Sequence, residues 1–439
     1  MRVFPNLPHR FCAVSLFCAS LTAGMTAIPF ASITGALAAD QAAPPTTQTA
    51  APTVAPAAKP AATKPAEKAK NSAKLGGADN KAAEKNSDTK AAKTDTVANQ
   101  PIHPFEASAA VNKGVLLATT EPLGSNDESA FYWYFRAANL NSPQGNDFVG
   151  NAWRDGRGIR KNLKEAIKYY HLAVQGGSVA AMKSLAEFYE NGVGLDRDRE
   201  KAFELYDRAG KLGDEWAKTR AMLLADITNI TPEIVAQTLR QANGGDLSSM
   251  TRIGAMYYYG VGVGLNQTKG NWWLQQTANH GEIRARLYLA EHALAKRDLA
   301  TALLWFSRAG TMENESEYHT GMAYAQYVTA RIMAGEFGAP PHGIDLNEAQ
   351  LWYVYAARAN LSEAMVKLAS LLRDDPNQTN YPAQPRLAYY FAVLADRHHT
   401  QNAAELRVLC AKSLDTETQR SIEQATMQWQ RGMDFPAMP

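Results

Sequence analysis

The stretch Ala181-Met-Lys-Ser-Leu185-Ala-Glu-Phe-Tyr189-Glu-Asn-Gly192-Val-Gly194, continued by Lys201-Ala202-Phe-Glu-Leu205-Tyr206-Asp-Arg-Ala209 and then Gly213 and Ala217, decides the fold. Stepping back 36 residues returns Val149, Trp153, Gly156, Gly158, Ala166, Tyr170, Ala173, Gly177 and Ala181. Ala130 stands another 36 residues before Ala166. A self-similarity of this period marks stacked helical hairpins, because one hairpin cannot bury its own apolar face. The question of function therefore becomes what the curved surface of such a stack holds.

Each unit reads as a helix A of the form Ala-x3-Leu-(Ala/Gly)-x2-Tyr, a Gly-x-Gly loop, and a helix B of the form Ala-x2-(Tyr/Trp)-(Tyr/Phe)-x2-Ala. Spacings of three and four gather these residues on one stripe per helix. Alanine lets neighbouring backbones approach, and the aromatics fill the space between helices. Helix starts are legible as well. Asn162 with Glu165, and Asp345 with Glu348, have the spacing of capping boxes, and Thr231-Pro232 pairs an N-cap with proline at the first helical position.

Other units are less regular. Ile253 to Ala285 keeps the pattern, with Tyr257, Gly260, Gly262 and Trp273. Ala217 to Gly245 replaces its glycine loop by Asn229-Ile-Thr-Pro232, and Ala285 to Gly310 loses the loop while keeping Ala302, Trp305, Phe306 and Ala309. The unit from Val328 to Ala357 carries Pro340-Pro341, and the last, Ala364 to Ala395, has a loop with Pro376, Pro382 and Pro385. Phe105 to Ala137 reads as an atypical first repeat. Thr416 to Arg431, opening with a Thr416-x2-Gln419 box, reads as a polar terminal helix that caps the stack.

The 439-residue chain begins differently. Arg2 and Arg10 precede an apolar run from Phe11 to Leu37 that ends in Ala36-Leu37-Ala38-Ala39. A basic start, an apolar centre and an A-x-A site are the marks of an export signal, so residues 1–39 are expected to be cleaved after Ala38 or Ala39. An uncleaved anchor is the alternative, since the run approaches the roughly 20 residues that span a bilayer. Residues 40–103 are rich in Ala, Pro, Thr and Lys and poor in large apolar side chains. They cannot offset the entropy of ordering, and are expected to form a disordered tether whose lysines could graze an anionic wall or membrane. The solenoid then occupies 104–400 in about seven repeats, with capping helices over 401–431.

The formal net charge is +2, but eleven of the 45 basic residues and only six of the 43 acidic ones lie in the first hundred positions. The folded part is slightly acidic, which is no footprint for nucleic acid. Of three cysteines, Cys12 and Cys18 fall in the signal. Cys410 alone remains, on an apolar helix face, and is expected to be a buried thiol.

The repeat string from Ala181 to Ala217 resembles the Sel1-like repeats, a branch of the tetratricopeptide superfamily. With the clear copies near Val149, Ala181 and Met250 and the degraded ones, the resemblance covers nearly all of Ser129 to Ala395. It implies an all-α, right-handed solenoid whose A helices line an open concave face for a protein partner. By family register, Asn151, Arg154, Lys183, Glu187, Glu190, Tyr258 and Gln326 would face that groove. Exported bacterial members act as periplasmic regulators of sensor kinases, as envelope-assembly scaffolds, or as factors that meet host cells. The family has no shared catalytic residues to carry over. Relatives that staple each repeat with a cysteine pair, some described as β-lactamase-like, differ from this chain, which has no such cysteines.

No catalytic set emerges from the residues. The one Ser-x-x-Lys, Ser87-Asp-Thr-Lys90, sits in the tether, where nothing fixes a nucleophile and base in geometry. The glycine pairs lie between helices and follow no strand, so they are turns and not phosphate cradles. His398 and His399 are adjacent and point to different sides of a helix, and no His-Glu-x2-His motif is present, so no metal is expected. Five Asn-x-Ser/Thr sequons, at Asn229, Asn266, Asn314, Asn360 and Asn377, read as coincidental in a bacterial protein. The expectation is a non-enzymatic module without cofactor, exported to the periplasm, that holds a protein partner in its groove. The alternatives are a cell-wall-active enzyme and a secreted or surface-exposed host-interaction factor.

Overall fold

In the computed structural model of the protein, residues 104–311, 320–373 and 384–435 are described. The expected signal with Cys12 and Cys18, the expected tether with Ser87-x2-Lys90, the prolines Pro376 and Pro382, and the sequons at Asn314 and Asn377 lie outside the described residues. The described residues belong to a single compact unit.

They contain eighteen helices and no strand, only an isolated bridge between Glu336 and Gly338. Four helix pairs come first, the first three of them hairpins: α1 (Pro104–Ala118) with α2 (Asp127–Asn139), α3 (Pro143–Asp155) with α4 (Leu163–Gln175), α5 (Val179–Asn191) with α6 (Arg199–Lys211), and then α7 (Glu215–Ala225) followed by α8 (Pro232–Asn243). Four more follow: α9 (Leu247–Tyr259) with α10 (Gln267–Asn279), α11 (Ile283–Ala295) with α12 (Leu299–Gly310), α13 (Met322–Met333) with α14 (Leu346–Arg358), and α15 (Ser362–Arg373) with α16 (Pro385–Arg397). The terminal helices are α17 (Ala403–Ala411) and α18 (Thr416–Gln428). Apart from α7 with α8 and α17 with α18, successive helices pack side by side along the chain, so the fold is an α-solenoid.

The repeat residues form the seams of the stack. Ala166 and Ala202 are fully buried, as are Ala173, Ala209, Ala181 and Ala217 and the rings of Tyr170 and Tyr206. Asn162 accepts hydrogen bonds from the backbone of Lys164 and Glu165, and Asp345 caps α14 in the same way. The Thr416-x2-Gln419 box is not what starts α18. Asp415, one residue earlier, accepts from the Thr418 backbone at 2.8 Å, and a carboxylate at a helix N-terminus complements the dipole better than a hydroxyl does.

Each glycine loop performs two tasks. Gly156 and Gly192 end their A helices in the left-handed region, at φ 78° and 69°. The second glycine lies against the start of the preceding B helix. A Cβ on Gly158 would run into the backbone of Asp127, and one on Gly194 would meet the side chain of Leu163 at 3.1 Å. The pair therefore sets both the hairpin and its stacking on the previous repeat.

Two departures change the architecture. Where Asn229-Ile-Thr-Pro232 replaces the glycine pair, α8 packs on α9 rather than back on α7, and α7 turns inward to touch α11 and α13. The second departure is closure. The trough is not open along its length, because α17 folds back onto α1. Arg157, in the first glycine loop, bonds both carboxylate oxygens of Glu405 at 3.1 and 3.0 Å, and Lys412 donates to the Thr119 carbonyl at 2.7 Å. Ala404 and Val408 of α17 complete the apolar cluster around Val111, Val115 and Tyr134. The last helices thus cap the final repeat and also close on the first. Cys410 is buried in α17.

Candidate functional site

Inside the curl, polar side chains from distant repeats face one another. In α3 and α4, the Tyr170 hydroxyl donates to Asn151 at 2.9 Å, and in α5 and α6 Tyr206 donates to Glu190 at 3.0 Å. Tyr353 donates to Glu336 at 3.1 Å. The B-helix tyrosine therefore reaches through its hairpin to a polar group on the inner side. In the first hairpin the partner of Tyr134 is Glu405, supplied by α17 from the far end of the chain.

Two charge clusters lie deeper. Lys183 on α5 bonds Asp214 at 2.7 Å and Glu363 of α15 at 2.5 Å, with only 12% of its side chain exposed. Burial disfavours the ammonium, but the two carboxylates outweigh it and raise the lysine above its ordinary range. Arg220 of α7 pairs with Glu190 and with Glu291 of α11, and Tyr324 of α13 donates to Glu291 at 3.1 Å. Nearby, Arg284 pairs with Asp226 at 2.8 Å. Burial nonetheless pushes the Asp226 carboxyl up to about 6, with Arg284 opposing it.

What stays accessible is a recess of about 310 Å³, bordered by α3, α5, α13, α15 and the turn before α17. Asp147, Asn151, Lys183, Glu187, Arg331 and Lys367 line it, with Trp216 and Tyr327 as walls. A neighbouring recess of about 380 Å³ shares Asp147, Asn151 and residues Thr400 to Asn402, and is walled by Phe131, Tyr134 and Phe148. Burial pushes the Asp147 carboxyl up to about 7, although Arg154, the Asn151 amide and Lys183 favour its charge. Glu187 keeps exposed surface at the mouth, yet burial holds its carboxyl above the usual range too.

The seven residues assigned to the groove from the sequence separate into three groups. Asn151, Lys183 and Glu187 meet in the recess. Arg154 and Glu190 are occupied nearby, by Asp155 at 2.7 Å and by Arg220. Tyr258 and Gln326 are elsewhere and buried. Tyr258 stacks on His292, and Gln326 donates to the Gly310 carbonyl at 2.9 Å, so neither presents its side chain to a partner. The tight curl accounts for this, since α13 is enclosed by neighbours on both sides. Asp147, Trp216, Tyr327, Arg331 and Lys367 were not singled out in the sequence. Asp147 stands one turn before Asn151 on the same face of α3, and that spacing was the available signal.

His398 caps α16 and His399 takes φ 51° in the following turn, both exposed. Among the described residues there is no group of three or more His, Cys, Asp and Glu side chains placed to hold a metal ion. No helix among them is long and apolar enough to cross a membrane. Asn266, one of the sequons, caps α10 by accepting from the Lys269 backbone at 2.9 Å.

The Sel1 repeat family model matches residues 121–142, 148–178, 179–214, 247–282, 285–314 and 323–361. This chain is a member of the Sel1-like repeat proteins. The gap in the matches, between 214 and 247, holds α7 and α8, the pair whose loop departs from the pattern.

Among curated proteins the chain is similar to chitin synthase regulatory factor 3 of Schizosaccharomyces pombe, 27% identical over 54% of this chain and 26% of that one. It is also similar to a putative sel1-like repeat-containing protein of Acanthamoeba polyphaga mimivirus, 39% identical over 13% of this chain and 10% of the other. The match therefore spans about a quarter of the length of the first of these relatives and a tenth of the second. Among solved structures, a Sel1 repeat protein from Oxalobacter formigenes is 20% identical, with 70% of this chain and 86% of that one covered, at a TM-score of 0.35. The protective antigen c5321 of uropathogenic Escherichia coli, with an SLR fold, is 18% identical, with 73% and 84% covered, at a TM-score of 0.27. Sel1 repeats of this kind carry a protein-interaction or regulatory role.

Proposed function

We propose that this chain is a protein-interaction scaffold or regulator of the bacterial cell envelope, exported by its N-terminal segment and positioned in the periplasm by the tether. A protein partner of the sensor-kinase or envelope-assembly kind fits this reading. The observation that carries it is the disposition of charge within the repeats. Lys183, Arg220 and Arg284 are each held by carboxylates from other helices, which fixes the inner surface in one shape. A rigid surface with its polar groups already placed loses little entropy on recognising a partner. The regulatory name of the Schizosaccharomyces pombe relative leans the same way.

The closed curl alters where a partner would sit. Contact is offered at the mouth around Glu187 and Lys367 and on the outer B-helix surface, where Tyr132, Phe135 and Leu172 are exposed. Photo-crosslinking side chains at Glu187 and at Tyr132, in the full chain expressed in its own cells, should trap one defined envelope protein from at least one position. Absence of any crosslinked protein from both positions would remove the scaffold reading. Fractionation of the same cells tests the location, and recovery in the cytoplasm with residues 1–39 intact would overturn it.

A further inference from the structure

Two carboxylates of the smaller recess have no cation of their own. Asp147 is 7% exposed, and its Oδ1 has no hydrogen-bond partner among the described residues. Its other oxygen receives only the Asn151 amide, at 3.4 Å. Glu187 borders the same space and takes part in no ion pair among the described residues. The cations beside them are committed elsewhere: Arg154 to Asp155, and Lys183 to Asp214 and Glu363. From the turn after α16, Thr400, itself 8% exposed, brings a buried hydroxyl that also has no hydrogen-bond partner among the described residues. Buried polar atoms left unpaired cost free energy, which a ligand that donates hydrogen bonds and positive charge would offset.

Two cations that line the same recess have the reverse imbalance. Arg331 and Lys367 both turn to one carboxylate, that of Glu336, each at 2.8 Å. Glu336 also accepts from Tyr353, so its lone pairs are shared among three donors. The two cations thus retain excess positive charge. Trp216 and Tyr327 supply aromatic walls, against which an ammonium group or an alkyl stem is favourable. A volume of about 310 Å³ lies at the lower end of the roughly 300–1,000 Å³ of small-molecule sites, too small for a folded partner.

We propose that this recess binds a zwitterionic amino compound, a free amino acid or a short peptide. Its ammonium meets Asp147, Glu187 and Thr400, and its carboxylate meets Arg331 and Lys367. This stands apart from the scaffold reading, and either can fail alone. Because Thr400 belongs to the turn that leads into α17, the site exists only in the closed curl, and ligand and closure stabilise each other.

The test is calorimetric titration of the full chain with glycine, glycylglycine and triglycine, and with triglycine blocked at either end. The series separates a free amino acid from a peptide by length. One or more of the three should bind at a single site, and for the peptide N-acetylation should weaken binding at least tenfold and C-amidation severalfold. Asp147→Asn should weaken the best ligand at least tenfold and Lys367→Gln severalfold, whereas Lys168→Gln on the outer surface should leave it unchanged. Thermal melts of each variant establish that it is folded. No binding by any of the three, equal binding of the N-acetylated peptide, or equal affinity in folded Asp147→Asn protein would overturn the proposal. Equal binding of the C-amide would overturn its carboxylate half.

Discussion

Between α5 and α6 the chain turns through Gly192 and Gly194, both at positive φ, and α6 returns against α5. Between α7 and α8 it passes through Asn229 and Thr231-Pro232, and α8 joins the next repeat instead. The regular hairpin buries alanine and tyrosine. The irregular pair takes Asp226 into the interior, where Arg284 and Tyr288 of α11 meet it, because the flank of α7 that a B helix would cover touches α11 and α13; Glu215 is buried as well, and Arg431 pairs with it. A short loop without glycine thus exchanges an apolar seam for a charged one. That charged seam ties α7 to α5 and α11 through Arg220 and Arg284.

The comparison can be broken most severely at Arg220. Replacing it by Met leaves Glu190 and Glu291 buried without their cation and should destabilise by about 3–5 kcal/mol in urea unfolding. A loss under about 1 kcal/mol would mean that apolar packing alone holds α7. The glycine loops come next. Gly158→Ala places a methyl group at positive φ against the Asp127 backbone and should cost about 2–3 kcal/mol. Asn229→Gly, at φ 53° in the irregular loop, should stay within about 0.5 kcal/mol of the parent.

Asp147 gives a pH signature. Its folded carboxyl holds its proton up to about 7, against 3.8 for the ordinary group, so the folded chain binds more protons between those values. The stability contributed by this group is therefore present below pH 4, is lost as pH rises to 7, and stays lost above. Asp147→Asn should remove that slope and stabilise the ligand-free protein at pH 8, on the order of 1–3 kcal/mol. An unchanged stability–pH profile from pH 4 to 8 would contradict it. Only a small effect is expected at the closure. Arg157 has 41% of its side chain exposed, so Arg157→Ala should cost no more than about 1 kcal/mol in overall stability. It should still speed hydrogen exchange in α1 and α17 while leaving α9 and α10 unchanged.

The helices and their seams were legible because a 36-residue spacing and a three-and-four stripe are local facts of the sequence. The degenerate loop at Asn229 was legible too, but not its outcome, since nothing near residue 229 tells where α11 will be. Asn151, Lys183 and Glu187 were reached by register, which says that a side chain faces inward. Register does not say what waits opposite. Lys183 meets Glu363, 180 positions away, and Tyr134 meets Glu405, 271 away. Such partners depend on the summed curvature of many hairpins. Gln326 failed for that reason, since the inward face of α13 is already covered.

A linear array melts from its extremities, since a terminal unit has one neighbour where an inner unit has two. Here Glu405 and Lys412 give the first hairpin a second neighbour from the opposite terminus. Fraying at one extremity must then undo the other as well, so the chain should lose its structure in fewer, larger steps than its tandem architecture implies.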